Sequence, residues 1–263
     1  MQEGNRTKRS VLGTAHLLGR FGACILAAVP PTLIPPLPLT ALFTRRFQRE
    51  ERMKRWHSMV PWARFCRKYI LKIALDVHGR ENIPEDRRGH MFISNHQSYV
   101  DILVLMEALD TVSFLSKDLV RYIPLIAQHS YTAGTIFFDR RNKESRKRAL
   151  DETLRMCKES TAVVVFPEGT RSADGNLRPK IYPRAMERCH EEGIRIIPVG
   201  LDGTFDVVPK SMDRVNLGKK VVVSIGSPLD PASTSTPAEW VDLVWGRVGE
   251  LFEKSRKRRL EMS

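Results

Sequence analysis

His96 and Asp101 have the clearest capacity for chemistry in this chain, five positions apart in Asn95-His96-Gln97-Ser98-Tyr99-Val100-Asp101. A neutral imidazole can take a proton, while a carboxylate on its other nitrogen fixes the tautomer and steadies the imidazolium that forms. The same pair also fits a loop histidine bonded to backbone, with Asp101 as an ordinary cap near a helix start. Residues further along the chain weigh on the choice.

The elements that must position these residues follow an alternating pattern. Short apolar runs recur at 91–94, 112–115, 135–138, 162–166, 194–199 and 221–225. Stretches of helical character lie between several of them. One is 142–158, with Leu150, Leu154 and Cys157 on one face; 238–254 is a second amphipathic helix. Alternating strand and helix predicts an α/β fold with a largely parallel sheet flanked by helices. Three of the runs lead at once into polar residues, and a fourth leads into a proline-glycine break. Asn95-His96 follows the first, and Asp139-Arg140-Arg141 follows 135–138. Pro167-Glu168-Gly169-Thr170-Arg171-Ser172 follows 162–166, and Pro198-Val199-Gly200 follows 194–197. If these strands are parallel, all four exits share one sheet edge, where open α/β folds place their ligands.

That placement gathers His96, Asp101, Arg140, Glu168 and Arg171 into one cleft. Two arginines offer planar forks for a phosphate or carboxylate. Glu168 can accept hydrogen bonds from a polyol, and Gly169 lets backbone approach a ligand closely. No GxSxG elbow occurs and no cysteine sits in a motif, so a covalent acyl-enzyme is not indicated. The nucleophile is then the substrate's own hydroxyl, which points to transfer onto an alcohol that carries a phosphate.

Composition narrows the partners. The 263 residues, 42% of them hydrophobic, suffice for a real core, and the net charge of +13 invites a polyanion. Cys24, Cys66, Cys157 and Cys189 lack metal-ligand spacing, so neither a metal site nor a disulfide framework is expected. Residues 21–44 carry no charge but include five prolines. A stretch of that length could cross a hydrocarbon core of roughly 30 Å as one helix, but proline breaks helices. A kinked or re-entrant membrane segment fits better. A cleaved signal peptide and a soluble helix pair are the other readings. Ten Lys or Arg residues follow between Arg45 and Lys72, opposed by Glu50 and Glu51 and interleaved with Trp56 and Trp62. Such a segment next to an apolar anchor favours an anionic, cytoplasmic membrane face, although a solvated helix packed on its own domain also accounts for it. No helix-turn-helix, zinc module or RNP-like strand argues for nucleic acid. The expected division is a membrane-docking segment over 1–72, helical in part, and a catalytic domain over 73–263. Residues 256–259 read as a solvated basic tail.

Four ordered blocks carry a family resemblance: the Asn95–Asp101 heptapeptide, Gly134-Thr135-Ile136-Phe137-Phe138-Asp139-Arg140, Phe166-Pro167-Glu168-Gly169-Thr170-Arg171-Ser172 and Ile197-Pro198-Val199. From about Val77 to Asp230 the chain resembles the glycerolipid acyltransferases, in particular bacterial 1-acyl-sn-glycerol-3-phosphate acyltransferases of the PlsC type. The resemblance implies that fold, with His96 as general base and Asp101 orienting it. It implies direct attack of the sn-2 hydroxyl of lysophosphatidic acid on acyl-CoA or acyl carrier protein, with no cofactor besides that donor. It places Arg140 and Arg171, with Lys117, at the acceptor phosphate, and Glu168 and Gly169 at the glycerol end. Asn95 and Thr170 join the substrate-binding set, and Pro198 and Val199 shape the cleft wall or the acyl path. The implied location is the cytoplasmic face of the inner membrane. One segment departs from the family pattern. After Gly175-Asn176-Leu177-Arg178-Pro179 the family continues with an aromatic residue, a lysine and a glycine; here Lys180-Ile181-Tyr182-Pro183-Arg184 stands instead. That difference opens a lyso-ornithine lipid or another lysophospholipid as acceptor; glycerol-3-phosphate is a separate alternative. A non-catalytic membrane-binding module is the reading from outside enzymology.

Overall fold

The computed structural model describes residues 60–110, 112–117 and 135–262, with Gly19, Gly22 and Ala23. Apart from Gly22 and Ala23, the expected membrane segment at 21–44 falls outside these residues, as do most of the basic stretch after it, Cys24, Trp56 and Gly134.

Strands β1 (Ala74–His78) and β2 (His90–Ser94) precede helix α1 (Asp101–Leu109). Strands β3 (Ser113–Lys117) and β4 (Ile136–Phe138) lead to α2 (Lys143–Glu159), then β5 (Val163–Val165) and α3 (Arg184–Glu191). The chain continues through β6 (Arg195–Asp202), the single turn α4 (Thr204–Val207), β7 (Lys220–Ile225) and α5 (Pro237–Glu261). The sheet order is β1-β7-β6-β2-β5-β3-β4. Only the β6–β7 pairing is antiparallel. The α/β fold with a largely parallel sheet is therefore present.

Burial on both faces explains why the central strands read as unbroken apolar runs rather than alternating ones. Every residue of β2 and β5 is buried. Phe92 and Val164 face one layer, packed with Val104, Leu105 and Leu109 of α1. Met91, Ile93, Val163 and Val165 face the other, against Leu154 of α2, Met186 of α3, and Trp240, Val244 and Val248 of α5. Each such side chain contributes about 1.5–3 kcal/mol on burial. The helices start where capping chemistry allows. Asn142 accepts from the Ser145 amide at 3.0 Å, and Thr236 accepts from the Glu239 amide at 3.2 Å with Pro237 in the first turn. Helix α5 crosses β6 so closely that a Cβ on Gly200 would lie 2.2 Å from the Leu251 backbone carbonyl carbon.

Residues 60–65 are helical and continue into a π-helical turn, Cys66–Ile70, with Ala63, Cys66 and Ile70 buried. Arg67 of that turn grips Glu107 of α1, Nε to Oε2 at 2.6 Å and Nη2 to Oε1 at 3.0 Å. Phe65 and Tyr69 are exposed on the outer side, their ring centroids 5.3 Å apart.

Three expectations need correction. The basic residues 256–259 are not a solvated tail. They form the end of α5, where Arg259 bonds Asp202 and Asp206, and Arg256 donates to Gly175 O and Asn176 Oδ1. Carboxylates brought from a distant part of the chain extend the helix beyond 254. Strand β6 runs on to Asp202, so Pro198 and Val199 lie inside a buried strand and the fourth exit is Asp202-Gly203-Thr204. Strand β1 was not anticipated, because Asp76 and His78 interrupt its apolar pattern.

Candidate active site

Strands β2, β3, β4, β5 and β6 run the same way, so their C-terminal ends form one edge. At that edge His96 leaves β2 and meets Asp101 in the first turn of α1. His96 Nδ1 lies 2.7 Å from Asp101 Oδ2, and the carboxylate is fully buried. The same oxygen accepts from the Gln97 and Ser98 amides at 2.7 and 3.0 Å, and Oδ1 accepts from the Thr204 hydroxyl. An oxygen that already accepts from two amides suits Nδ1 as a third donor, which leaves Nε2 as the ring nitrogen not engaged by Asp101. The imidazole stacks on Phe166 at 4.2 Å between centroids and 18° between planes.

The loop after β5 is fastened to the histidine loop. The His96 amide donates to Glu168 Oε1 at 2.8 Å, and the Ser172 amide donates to His96 O at 2.8 Å. Glu168 Oε2 accepts from the Arg178 amide at 3.2 Å. Both Glu168 oxygens are thus held by backbone, and the side chain is 1% exposed. Burial pushes its carboxyl up to about 7, against the pull of those two amides. Gly169 adopts φ +63°, and a Cβ there would come within 2.8 Å of the Tyr182 ring and 3.7 Å of Arg140 Nη2. The Tyr182 amide donates to Pro167 O, so the segment that departs from the family pattern lies directly over the Glu168-Gly169 turn.

Arg140, at the end of β4, is pulled below the ordinary guanidinium value first by burial; Tyr182, Arg178 and Tyr99 lie near enough to act on it. Arg171 stacks on Tyr99 at 3.8 Å from the ring centroid, and its buried Nη1 has no hydrogen-bond partner among the described residues. A buried guanidinium donor without a partner suits an anionic ligand. Lys117 pairs with Phe138 at the end of β3, beside the Arg140 turn. Thr170 is half-buried between Gly169 and Arg171.

His96, Asp101, Arg140, Glu168, Gly169 and Arg171 therefore converge on one site. Asn95 is turned away from the acceptor place expected for it: its amide donates to Leu201 O at 2.9 Å and accepts from Leu201 N at 2.8 Å. Gln97, Arg178, Tyr182 and Thr204 were not anticipated as site residues. Gln97 stood inside the motif, but its partners Gly175, Asp202 and Gly203 are distant in sequence. A cavity of about 470 Å³ lined by His78, Arg80, Asn82 and Arg258 opens at the opposite edge, where β1 and β7 end, and takes no part in this site.

The family described as Acyltransferase matches residues 74–202. The lyso-ornithine lipid O-acyltransferase of Pseudomonas aeruginosa is 31% identical over 204 residues, spanning 76% of this chain and 71% of that protein. The chain belongs to the acyltransferase family. The motif blocks implied this membership, and a solved structure agrees with it. The crystal structure of the 1-acyl-sn-glycerophosphate acyltransferase PlsC of Thermotoga maritima superimposes with a TM-score of 0.68 at 26% identity, covering 95% of this chain and 97% of that one. The chloroplastic 1-acyl-sn-glycerol-3-phosphate acyltransferase BAT2 of Brassica napus is 29% identical over 209 residues, covering 78% of this chain. The match spans only 59% of that relative's length.

The described cysteines Cys66, Cys157 and Cys189 are all buried. Burial pushes Cys157 up to about 12 and Cys189 well above its ordinary value, so neither supplies a thiolate nucleophile.

Proposed function

We propose that the chain transfers a fatty acyl group from acyl-CoA or acyl carrier protein to the sn-2 hydroxyl of lysophosphatidic acid, forming phosphatidic acid. His96 Nε2 takes the hydroxyl proton as the oxygen attacks the thioester carbonyl carbon. The tetrahedral oxyanion collapses, the carbon–sulfur bond breaks, and the departing thiolate takes the proton back from the imidazolium. No acyl-enzyme forms. Arg140 and Arg171 hold the acceptor phosphate, with Lys117 adding charge. Glu168 acts through the loops it joins. The observation that carries this reading is the His96–Asp101 contact at 2.7 Å, together with a buried Arg171 Nη1 that has no hydrogen-bond partner among the described residues. The reaction takes place at the cytoplasmic membrane face, where residues 1–72 dock on anionic lipid.

A lyso-ornithine lipid is the second acceptor to consider, on the strength of the 31% identical Pseudomonas aeruginosa relative and the altered segment at Lys180–Arg184. The test offers purified full-length chain labelled acyl-CoA or acyl carrier protein, with lysophosphatidic acid, glycerol-3-phosphate or lyso-ornithine lipid. Label in phosphatidic acid is expected. Transfer to lyso-ornithine lipid alone moves the acceptor, and transfer to none overturns the reading.

A further inference from the structure

The acyltransferase match ends at residue 202, yet the hydrogen bonds that fix the His96–Asp101 pair continue beyond it. Thr204, fully buried on α4, donates its hydroxyl to Asp101 Oδ1. That hydroxyl also lies 3.2 Å from Gln97 Oε1, but its single proton goes to the charged and nearer carboxylate. Gln97 Oε1 is served instead by the Gly203 amide at 3.1 Å. Gln97 Nε2 donates to Gly175 O at 2.7 Å and to Asp202 Oδ1 at 3.0 Å. Asp202, 1% exposed, is held in turn by Arg259 Nε at 2.5 Å, and Arg259 Nη1 reaches Asp206 at 2.8 Å. A continuous path thus links the last turns of α5 to the residue after the catalytic histidine.

Two physical arguments give this path a role. Asp101 Oδ2 serves His96 and two amides, so the carboxylate is useful only while it cannot rotate; Thr204 occupies the other oxygen and stops that rotation. A largely buried ion pair such as Asp202–Arg259 adds little net stability over apolar packing, so its effect lies in where it places Gln97. We infer that Thr204, and Asp202 held by Arg259, are positioning residues for acyl transfer: Thr204 locks the Asp101 carboxylate onto His96 Nδ1, and the end of the C-terminal helix sets the His96-Gln97 backbone through Asp202. The inference rests on the acyl-transfer reading of His96.

The test compares wild type, Thr204→Val, Thr204→Ser and Arg259→Met as full-length chains. Two readouts are needed: steady-state kinetics, and the tautomer of His96 from nitrogen-15 histidine spectra assigned with His96→Gln. Loss of an outer hydrogen-bond partner at a reactive site costs about 10–100-fold. Thr204→Val is expected to lower kcat by that factor with both KM values within about twofold, and to lose the Nδ1-protonated tautomer of His96. Thr204→Ser, which keeps the hydroxyl, restores both. Arg259→Met, which leaves Arg256 Nε 3.6 Å from Asp202 Oδ1 to balance that carboxylate, lowers kcat in the same direction and decides the matter if Thr204→Val does not fold. Unchanged kcat and unchanged tautomer in Thr204→Val and Arg259→Met overturn the inference. A wild type that transfers acyl groups to no acceptor overturns the function instead, while the spectra still decide the positioning.

Discussion

His96 Nδ1 faces an oxygen that two backbone amides also hold, so the ring cannot turn without losing the one bond that sets its tautomer. Asp101→Asn removes that charge and presents an amide of uncertain direction to the imidazole. It is expected to lower kcat by about 10²–10⁴-fold with little change in KM, read from initial rates under saturating donor. Arg171→Lys keeps a positive charge but loses the fork that carries the unpartnered Nη1. A charge-assisted bond is worth about 1.5–3 kcal/mol, so KM for the phosphate acceptor is expected to rise roughly tenfold or more while KM for the donor holds. Glu168 gives a pH signature. Its carboxyl sits at about 7 in the folded chain against an ordinary 4.5. Between those values the folded chain keeps a proton that the unfolded chain has released, so stability falls as pH rises from 4.5 to 7 and is level above. The effect is on the order of 3 kcal/mol. Glu168→Gln has no such ionisation, and urea unfolding between pH 4.5 and 8 should lose that component of the slope; an identical slope in the variant contradicts the assignment.

The strand exits are where sequence and structure correspond most closely. Apolar runs at 91–94 and 162–166 announce strands because both faces are buried, and the polar residues immediately after them define the site edge. Arg140, Glu168 and Arg171 could be placed by that logic alone, whereas Lys117 entered through the family resemblance. What the sequence withheld depends on contacts between distant residues. Nothing in the sequence singles out Thr204, because the run at 194–197 points to an exit at Pro198-Val199-Gly200; the strand continues through that proline, and the true exit lies at Asp202. Asn95 looked like a ligand because of its place beside His96, but its partner is Leu201, more than a hundred residues away. Arg256 to Arg259 read as a solvated tail because four consecutive cations carry no apolar pattern; Asp202 and Asp206 hold Arg259 across the fold. The junction between the residue 60–70 helix and α1 has the same character. Glu107 is 8% exposed and takes a two-pronged bond from Arg67. Arg67→Met leaves that carboxylate buried with its best partner gone, a cost of about 3–5 kcal/mol. Thermal melting is expected to fall by roughly 5–15 °C, with part of the loss recovered in Arg67→Met combined with Glu107→Leu.

Over the whole molecule, a net charge of +13 and the exposed Phe65–Tyr69 pair beside Lys68 suit a surface that is both anionic and apolar. No helix among the described residues is long and apolar enough to cross a membrane. If basic residues hold the chain to lipid at about 1 kcal/mol each, flotation with vesicles containing phosphatidylglycerol is expected to exceed flotation with neutral vesicles. That excess should shrink as salt shortens the screening length; equal flotation on both vesicle types contradicts the docking proposal. Lipid docking and the His96 site are two parts of one proposal, since the proposed acceptor is a lipid that a docked chain would take from the bilayer. The most direct test is the rate of label transfer from acyl-CoA to lysophosphatidic acid in such vesicles, wild type against His96→Ala, with melting temperatures matched. A loss of about 10²-fold or more in the variant is the predicted result. A variant that retains the wild-type rate contradicts His96 as the base, and with it the account of the site.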